Sequence, residues 1–295
     1  MFGQYFGNYL IEKNKISQTE FEDVMMQQQI SRLKLGFIAV AEKLLTTKQA
    51  EEINDIQKKL DRRFGDIAVE KGYLLTEEVT YLLNMQGSSY LKFVQALTEN
   101  NILSIEEIEN CLEDFKKDNE FSDSDLDALK TGDIDRIISV FVDVDIPLTG
   151  ECISLALRNV VRFINNNIRL KKAYTVKEYS FGNIAYQQVI GDHQIFCGIA
   201  GNENALLSIA SPFAKETFQK LDEDAFDSVC EFINCTNGLY ASKLSLEDIQ
   251  IDMTPPLYDT GKTLVSNGEI YVVPIIIEGE QADLLVVVNN QFGIH

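Results

Sequence analysis

The segment Ala225-Phe-Asp-Ser-Val-Cys-Glu-Phe-Ile-Asn234 decides how the second half of this chain is interpreted. At the 100° turn of an α-helix, Asp227, Glu231 and Asn234 fall on one arc. The apolar side chains and a cysteine collect on a different arc: Phe226, Val229, Cys230 and Ile233. The pattern predicts a helix that packs with one side and presents carboxylates beside a carboxamide on the other. A carboxamide can hold a water molecule because it donates and accepts hydrogen bonds at once, and a fixed carboxylate can bind a partner's lysine.

The pattern Asp227-x3-Glu231-x2-Asn234, followed by Gly238 and by Pro255-Pro256, resembles the signature of the CheC/CheX/FliY family of chemotaxis phosphatases. In that family the glutamate and the asparagine act on the aspartyl phosphate of a CheY-type response regulator. The resemblance implies that Asn234 orients the attacking water, that Glu231 holds the receiver's lysine, and that Asp227 belongs to the same site. It also implies no cofactor of the chain's own, since the receiver supplies Mg²⁺.

A plainer interpretation of the same helix stays open. Glutamate and asparagine are mostly found on solvated faces, and Asn237-Gly238 is a sequence at which a helix often ends. Cys230 and Cys235 are expected to be packing residues, because no basic group is placed to form a thiolate. Two function classes therefore remain: a phosphoaspartate phosphatase, and a non-catalytic adaptor for chemotaxis or motility signalling that binds a small ligand or docks a protein.

The composition favours a protein or a small ligand as the partner. The 295 residues carry a net charge of −20 and the pI is near 4.5, which argues against a polynucleotide or an anionic membrane surface. Five scattered cysteines without a CxxC pair indicate reduced thiols, and no metal site is expected. The sequence shows no signal peptide and no apolar run of membrane-spanning length, so a cytoplasmic location is expected. The oligomeric state is left open, with a homodimer among the alternatives.

The first 117 residues contain a repeat of 29 residues. Three copies are marked by the pairs Phe6-Gly7, Leu35-Gly36 and Phe64-Gly65, and by Gln28, Gln57 and Gln86 at one shared offset. A fourth, degraded copy begins near Lys92. Each copy is predicted to form two short helices, the second one capped near Ser17, Thr47, Thr76 or Ser104. Because such a pair cannot bury its apolar face alone, the copies must stack into an all-α domain.

The tripeptide Arg63-Phe64-Gly65, a glutamine at the end of the copy and a five-residue spacer resemble the N-terminal domain of type II secretion and pilus ATPases such as MshE. Some of those domains bind cyclic di-GMP through tandem motifs. The spacers 29–33 and 58–62 match. The resemblance implies a cyclic di-GMP site formed by copies two and three from six residues: Lys34, Gly36, Gln57, Arg63, Gly65 and Gln86. The alternative is a packing scaffold in which the glycines only permit close contact.

Residues 118–135 form an acidic, turn-rich run that predicts a linker, with a short helical turn around Leu126 as an open alternative. The expected domains are therefore 1–117 and 136–295. The apolar pattern beyond it alternates. It predicts strands at 137–146, 172–179, 183–190, 194–199, 249–253, 262–266, 269–277 and 282–289, with helices at 150–165 and 212–221 besides the site helix. Strands without long helical crossovers predict an antiparallel sheet with helices on one face, so the expected fold class is α+β behind an all-α N-terminal domain.

Overall fold

The computed structural model describes residues 1–60, 62–144 and 146–295. Asp61, in the second predicted spacer, and Asp145, in the strand predicted over 137–146, lie outside the described residues. The chain forms two compact units, Met1–Gly132 and Asp133–His295. Within the described ranges, no helix is both long enough and apolar enough to cross a membrane.

The first unit is helical, and its helices follow the repeat. They are α1 (Phe2–Glu12), α2 (Gln18–Ile30), α3 (Leu35–Ala41), α4 (Thr47–Leu60), α5 (Phe64–Glu70), α6 (Thr76–Asn84), α7 (Ser89–Glu99), α8 (Ile105–Asp118) and α9 (Asp123–Thr131). The first eight form four pairs, one in each copy, so the prediction of two short helices per copy is confirmed.

Helix caps explain where the second helix of each copy begins. Ser17 and Ser104 are the predicted caps: each accepts a hydrogen bond from the backbone N–H of a glutamate three residues on, and the glutamate side chain bonds back to form a capping box. The other two predicted caps are wrong by one residue. Thr46 Oγ1, not Thr47, accepts the bond that caps α4, and Leu75 precedes α6.

Two repeat glycines allow close contact between helices. A methyl group at Gly7 would lie 2.2 Å from Phe21 Cε2, and one at Gly36 would lie 2.8 Å from Phe64 Cε2. Both distances are shorter than a van der Waals contact, so a larger side chain requires the phenylalanine ring, or the helix that carries it, to move. Packing alone thus accounts for glycine at these two positions.

The acidic run is not the predicted linker. Ser122 caps α9 through a capping box with Asp125, and the helix buries Leu126, Ala128 and Leu129 against the first unit. The helix ends at Gly132, which has a left-handed φ of 71°. A good cap and an apolar stripe outweigh the acidic composition, and the two compact units divide between residues 132 and 133.

The second unit mixes helices and strands, and the predicted α+β class is confirmed. Its helices are α10 (Ile134–Phe141), α11 (Pro147–Asn159), α12 (Glu203–Ala214) and α13 (Glu223–Ser245). Its strands are β1 (Arg169–Leu170), β2 (Tyr174–Gly191), β3 (Ile195–Gly201), β4 (Ile251–Met253), β5 (Leu257–Ile277), β6 (Glu280–Val288) and β7 (Phe292–Ile294).

Two of the predicted elements in this unit are wrong in type or position. Residues 137–141 belong to helix α10, because Asp133 caps it and three apolar side chains at helical spacing are buried: Ile137, Ile138 and Phe141. Pro212 lies inside α12 and does not open a helix over 212–221.

Two pairs of predicted strands merge into single long strands. The stretches 172–179 and 183–190 join as β2, and 262–266 and 269–277 join as β5. The merger follows from pairing, since β2 and β5 run antiparallel to each other from Tyr174↔Val272 to Tyr186↔Leu257.

The sheet has the strand order β1-β5-β6-β3-β2-β4, and β7 pairs with β5. Its neighbours are antiparallel. Because β5 also pairs with β2, strands β5, β6, β3 and β2 close on themselves. Side chains such as Phe196, Val272 and Leu285 form a core on one face. The opposite face, which includes Gln187, packs against the helices and positions the candidate site.

Candidate functional site

Helix α13 carries the predicted site residues and is longer than the sequence suggested. Asp222 caps its start, where the side chain accepts a hydrogen bond from Ala225 N–H, and Glu223 and Asp224 lie in the first turn. These carboxylates complement the positive end of the helix dipole. The helix continues through Asn237-Gly238 to Ser245, so the alternative of a helix end at Gly238 is wrong.

One side of α13 is packed as predicted. Phe226, Val229, Cys230 and Ile233 are all buried. Two hydrogen bonds attach the helix to its neighbours: Ser228 Oγ donates to the carbonyl of Ala210 at 2.9 Å, and Tyr240 Oη donates to the carbonyl of Leu148 at 2.8 Å. These contacts fix the rotation of α13 about its own axis, so the face opposite the packed side has a defined orientation.

The other face presents the three predicted residues. Asp227 and Glu231 are exposed and Asn234 is half-buried. Asn234 Nδ2 lies 3.4 Å from Glu231 Oε2, a long hydrogen bond in which the carboxamide donates. The structure thus brings the carboxamide and one carboxylate together, and Asp227 lies one turn away along the helix.

A buried glutamine on the sheet, which the sequence did not indicate, donates a hydrogen bond to Asn234. Gln187 on β2 is 1% exposed, and its Nε2 donates to Asn234 Oδ1 at 2.8 Å and to the carbonyl of Thr254 at 2.8 Å. Its Oε1 accepts from Asn237 Nδ2 at 2.9 Å. The only sequence signal is a polar residue at an inward position of a strand, between buried Ala185 and Val189.

A small cavity lies beside the exposed arc. It has a volume of about 440 Å³ and is lined by Asp227, Cys230, Glu231, Pro256, Leu257 and Tyr258. Tyr258 stacks on Phe226 of α13 with ring centroids 4.3 Å apart. The second proline of the predicted motif therefore lies next to the carboxylates, although it is 25 residues beyond Glu231 in sequence.

The thiol in this cavity is not an activated nucleophile. Burial, with a further contribution from the charge of Asp227, raises the pKa of Cys230 to about 11. The thiol is therefore protonated near neutral pH, as a packing cysteine is. In the described part of the chain, no group of three His, Cys, Asp or Glu residues is arranged to hold a metal ion.

The six residues predicted to bind cyclic di-GMP meet in one cavity of the first unit. This repeat cavity has a volume of about 1290 Å³, and its walls include Lys34, Gly36, Gln57, Arg63, Gly65 and Gln86. Arg32 and Lys58 add two more cations, and Asp66 and Glu99 add two carboxylates. The local charge is thus positive on balance, in a chain whose net charge is −20.

Several side chains of the repeat cavity already have partners. Lys34 Nζ lies 2.8 Å from Glu99 Oε1. Gln86 Nε2 donates to the carbonyl of Leu33 at 3.3 Å, and Gln95, which the sequence did not indicate, accepts from Lys34 N–H at 2.9 Å. Gln86 and Gln95 thus support the segment before α3, which is a structural task that needs no ligand.

A comparison with models of protein families finds a match within the second unit. Residues 184–276 match the family model described as chemotaxis phosphatase CheX. The matched segment contains Gln187, Asp227, Glu231, Asn234 and Pro256. The predicted CheX resemblance is therefore confirmed for this part of the chain. The resemblance of the repeats to the MshE N-terminal domain stays a prediction.

Three solved structures are similar to about half of this chain. A CheC-like superfamily protein from Shewanella sp. PV-4 is 19% identical, with 49% of this chain and 99% of that chain covered and a TM-score of 0.43. Chemotaxis protein CheX from Vibrio vulnificus is 17% identical, with coverages of 48% and 98% and a TM-score of 0.42. A CheX–CheY–BeF3–Mg²⁺ complex from Borrelia burgdorferi is 17% identical, with coverages of 47% and 95% and a TM-score of 0.37. A comparison with curated proteins found no match.

Proposed function

We propose that this protein hydrolyses the aspartyl phosphate of a CheY-type response regulator in the cytoplasm. The observation that carries the proposal is the exposed Glu231 beside the half-buried Asn234, on a helix inside the segment that matches the CheX model. Phosphoryl transfer depends mainly on positioning and electrostatic stabilisation, so a carboxylate and a carboxamide are sufficient protein groups.

The reaction is the attack of water on phosphorus. The bond between phosphorus and the receiver's aspartate oxygen breaks, the aspartate leaves as a carboxylate, and a proton of the water passes to the phosphate or to solvent. Asn234 orients the water through Nδ2, which keeps a second proton beside its bond to Glu231, while Oδ1 accepts from Gln187. Glu231 binds the receiver's lysine through a charge-assisted hydrogen bond, and Asp227 adds negative charge one turn away. The receiver brings its own Mg²⁺ as part of the substrate.

Phosphate release from phosphorylated receiver domains tests the proposal. Wild-type protein should accelerate release, Asn234→Ala should abolish the acceleration, and Glu231→Ala should weaken both docking and rate. Glu223→Ala, an exposed glutamate at the start of the same helix, serves as the control and should behave as wild type. A wild-type protein that binds receivers without accelerating release would contradict the proposal and favour a non-catalytic adaptor.

We further propose that cyclic di-GMP binds in the repeat cavity and regulates the protein. The supporting observation is that all six residues predicted from the motif line this one cavity, with Arg63 and Lys34 as the main cationic groups. Arginine can form two parallel hydrogen bonds with a phosphate or a guanine edge and can stack on a base, whereas lysine acts as a point charge. Ligand binding to Lys34 requires Glu99 to release it.

Calorimetry with cyclic di-GMP tests this second proposal. Arg63→Ala should weaken binding at least about tenfold, which corresponds to about 1.4 kcal/mol. Arg62→Ala is the matched control, because Arg62 is the neighbouring arginine, pairs with Glu70 at 2.6 Å and is not part of the cavity wall. No heat at millimolar nucleotide would contradict binding, and the repeats would then be a packing scaffold or a protein-docking module.

A further inference from the structure

The buried hydrogen-bond network below Asn234 determines which way its carboxamide faces. The carbonyl of Thr254 can only accept, so the Gln187 atom 2.8 Å from it must be the nitrogen. The same nitrogen lies 2.8 Å from the Asn234 side chain, which must therefore present its oxygen. One backbone carbonyl thus fixes two side-chain amides.

The outer end of Asn234 follows from this assignment. With Oδ1 directed inward to Gln187, Nδ2 is directed outward and lies beside Glu231. Both protons of Gln187 Nε2 are engaged, one by Asn234 and one by Thr254, so Gln187 cannot rotate without losing two bonds. A free carboxamide would sample both orientations, because its two ends have nearly the same shape.

A second observation is that Asn237 binds the carbonyl end of the Gln187 side chain. Asn237 is 1% exposed, and its Nδ2 donates to Gln187 Oε1. Its own Oδ1 is buried and has no hydrogen-bond partner in the described part of the chain. Because Asn237 Nδ2 donates to Gln187 Oε1, Asn237 Oδ1 is directed away from Gln187, and the orientation of this third amide is fixed as well.

We infer that Gln187 is a positioning residue that fixes the carboxamide of Asn234 with Nδ2 outward, and that Asn237 holds Gln187 in turn. The inference rests on the proposed phosphatase function, since it assigns a task to the site only if Asn234 acts on the phosphoryl group or the attacking water. Gln187 does not touch the substrate. It restricts the Asn234 carboxamide, whose two ends have nearly the same shape, to a single orientation.

The test compares Gln187→Met with Gln188→Met on a phosphorylated receiver. Methionine is similar in length to glutamine but donates no hydrogen bond, and Gln188 is the adjacent residue whose side chain alternates to the other face of β2. Gln187→Met should lower kcat about tenfold to a hundredfold with KM changed less than about twofold, since misplacement of a catalytic group affects the chemical step. Gln188→Met should leave both constants unchanged.

A second measurement needs no phosphatase activity. In wild-type protein the two side-chain N–H protons of Gln187, followed by NMR, should exchange with solvent much more slowly than those of Gln188. Exchange at equal rates would overturn the inference, and it decides the matter if Gln187→Met does not fold.

The outcomes separate the inference from the function on which it rests. If Asn234→Ala is inactive while Gln187→Met retains the wild-type kcat, the positioning inference is wrong and the phosphatase stands. If wild-type protein does not accelerate phosphate loss from any receiver tested, the proposed function fails. Slow exchange of the Gln187 protons would then support only the hydrogen bond between Gln187 and Asn234.

Discussion

Replacing Asn234 by aspartate tests the geometry of the site most sharply. Asn234→Asp keeps an oxygen acceptor for Gln187 but puts a carboxylate oxygen where Nδ2 lies, 3.4 Å from Glu231 Oε2. Two unit charges at that separation repel by about 1 kcal/mol at the permittivity of water and by about 5 kcal/mol at an effective permittivity near 20. Because Glu231 is exposed, the expected destabilisation is close to the lower figure.

A double-mutant cycle in urea unfolding at pH 7 measures this repulsion. Asn234→Asp should lower the free energy of unfolding by about 1 kcal/mol in wild-type protein and by clearly less in a Glu231→Gln background. The difference should shrink at 1 M salt, where exposed charges are screened. If the variant costs the same in both backgrounds at low salt, the side chain at position 234 does not lie beside Glu231, and the contact on which the proposed site depends is wrong.

Three further results are expected. Gly7→Ala should destabilise the first unit by about 1–3 kcal/mol, because the added methyl group would lie 2.2 Å from Phe21. Gly87→Ala is the control and should not destabilise it, since no atom lies within 4 Å of the added methyl group. Thermal unfolding measures both variants, and equal melting temperatures would contradict the packing argument. Burial raises the pKa of Cys230 from 9.0 to about 11, so the contribution of this thiol to the free energy of unfolding is full below pH 9 and is lost as the pH rises through about 11. The free energy of unfolding in urea should therefore depend less on pH between 9 and 11 in Cys230→Ala than in wild-type protein. Identical pH profiles for the two proteins would contradict the raised pKa. The fragment 133–295 should fold and accelerate phosphate release by itself, which a purified fragment that is unfolded or inactive would disprove.

The site helix could be predicted because its information is local. The apolar positions from Phe226 to Ile233 recur at helical spacing, and the polar residues of the opposite arc lie within eight positions of one another. The helices of the 29-residue repeat could be predicted for the same reason. Their starts are marked in the sequence by a serine followed three residues later by a glutamate, as at Ser17 and Ser104.

What could not be predicted depends on contacts between distant residues. Gln187 precedes Asn234 by 47 positions and meets it only because β2 passes under α13. The β-branched run 137–146 reads as a strand in isolation, yet the spacing of Ile137, Ile138 and Phe141 lets a helix bury all three. Tertiary packing likewise holds α9 in an acidic segment with few apolar residues, because those few share one face.

In the proposed reaction, the carboxamide of Asn234 performs a catalytic step and does not merely help a receiver to dock. The direct measurement is the rate of phosphate loss from a phosphorylated receiver at saturating protein, together with the affinity for the receiver, for wild-type protein and Asn234→Ala. Asn234→Ala leaves one proton of Gln187 without its acceptor, so a stability loss of about 1–3 kcal/mol is expected, and folding is checked by circular dichroism. We expect a folded variant that binds the receiver as wild type does but leaves its phosphate loss at the intrinsic rate. A folded Asn234→Ala protein that accelerates phosphate loss as well as wild type would contradict it.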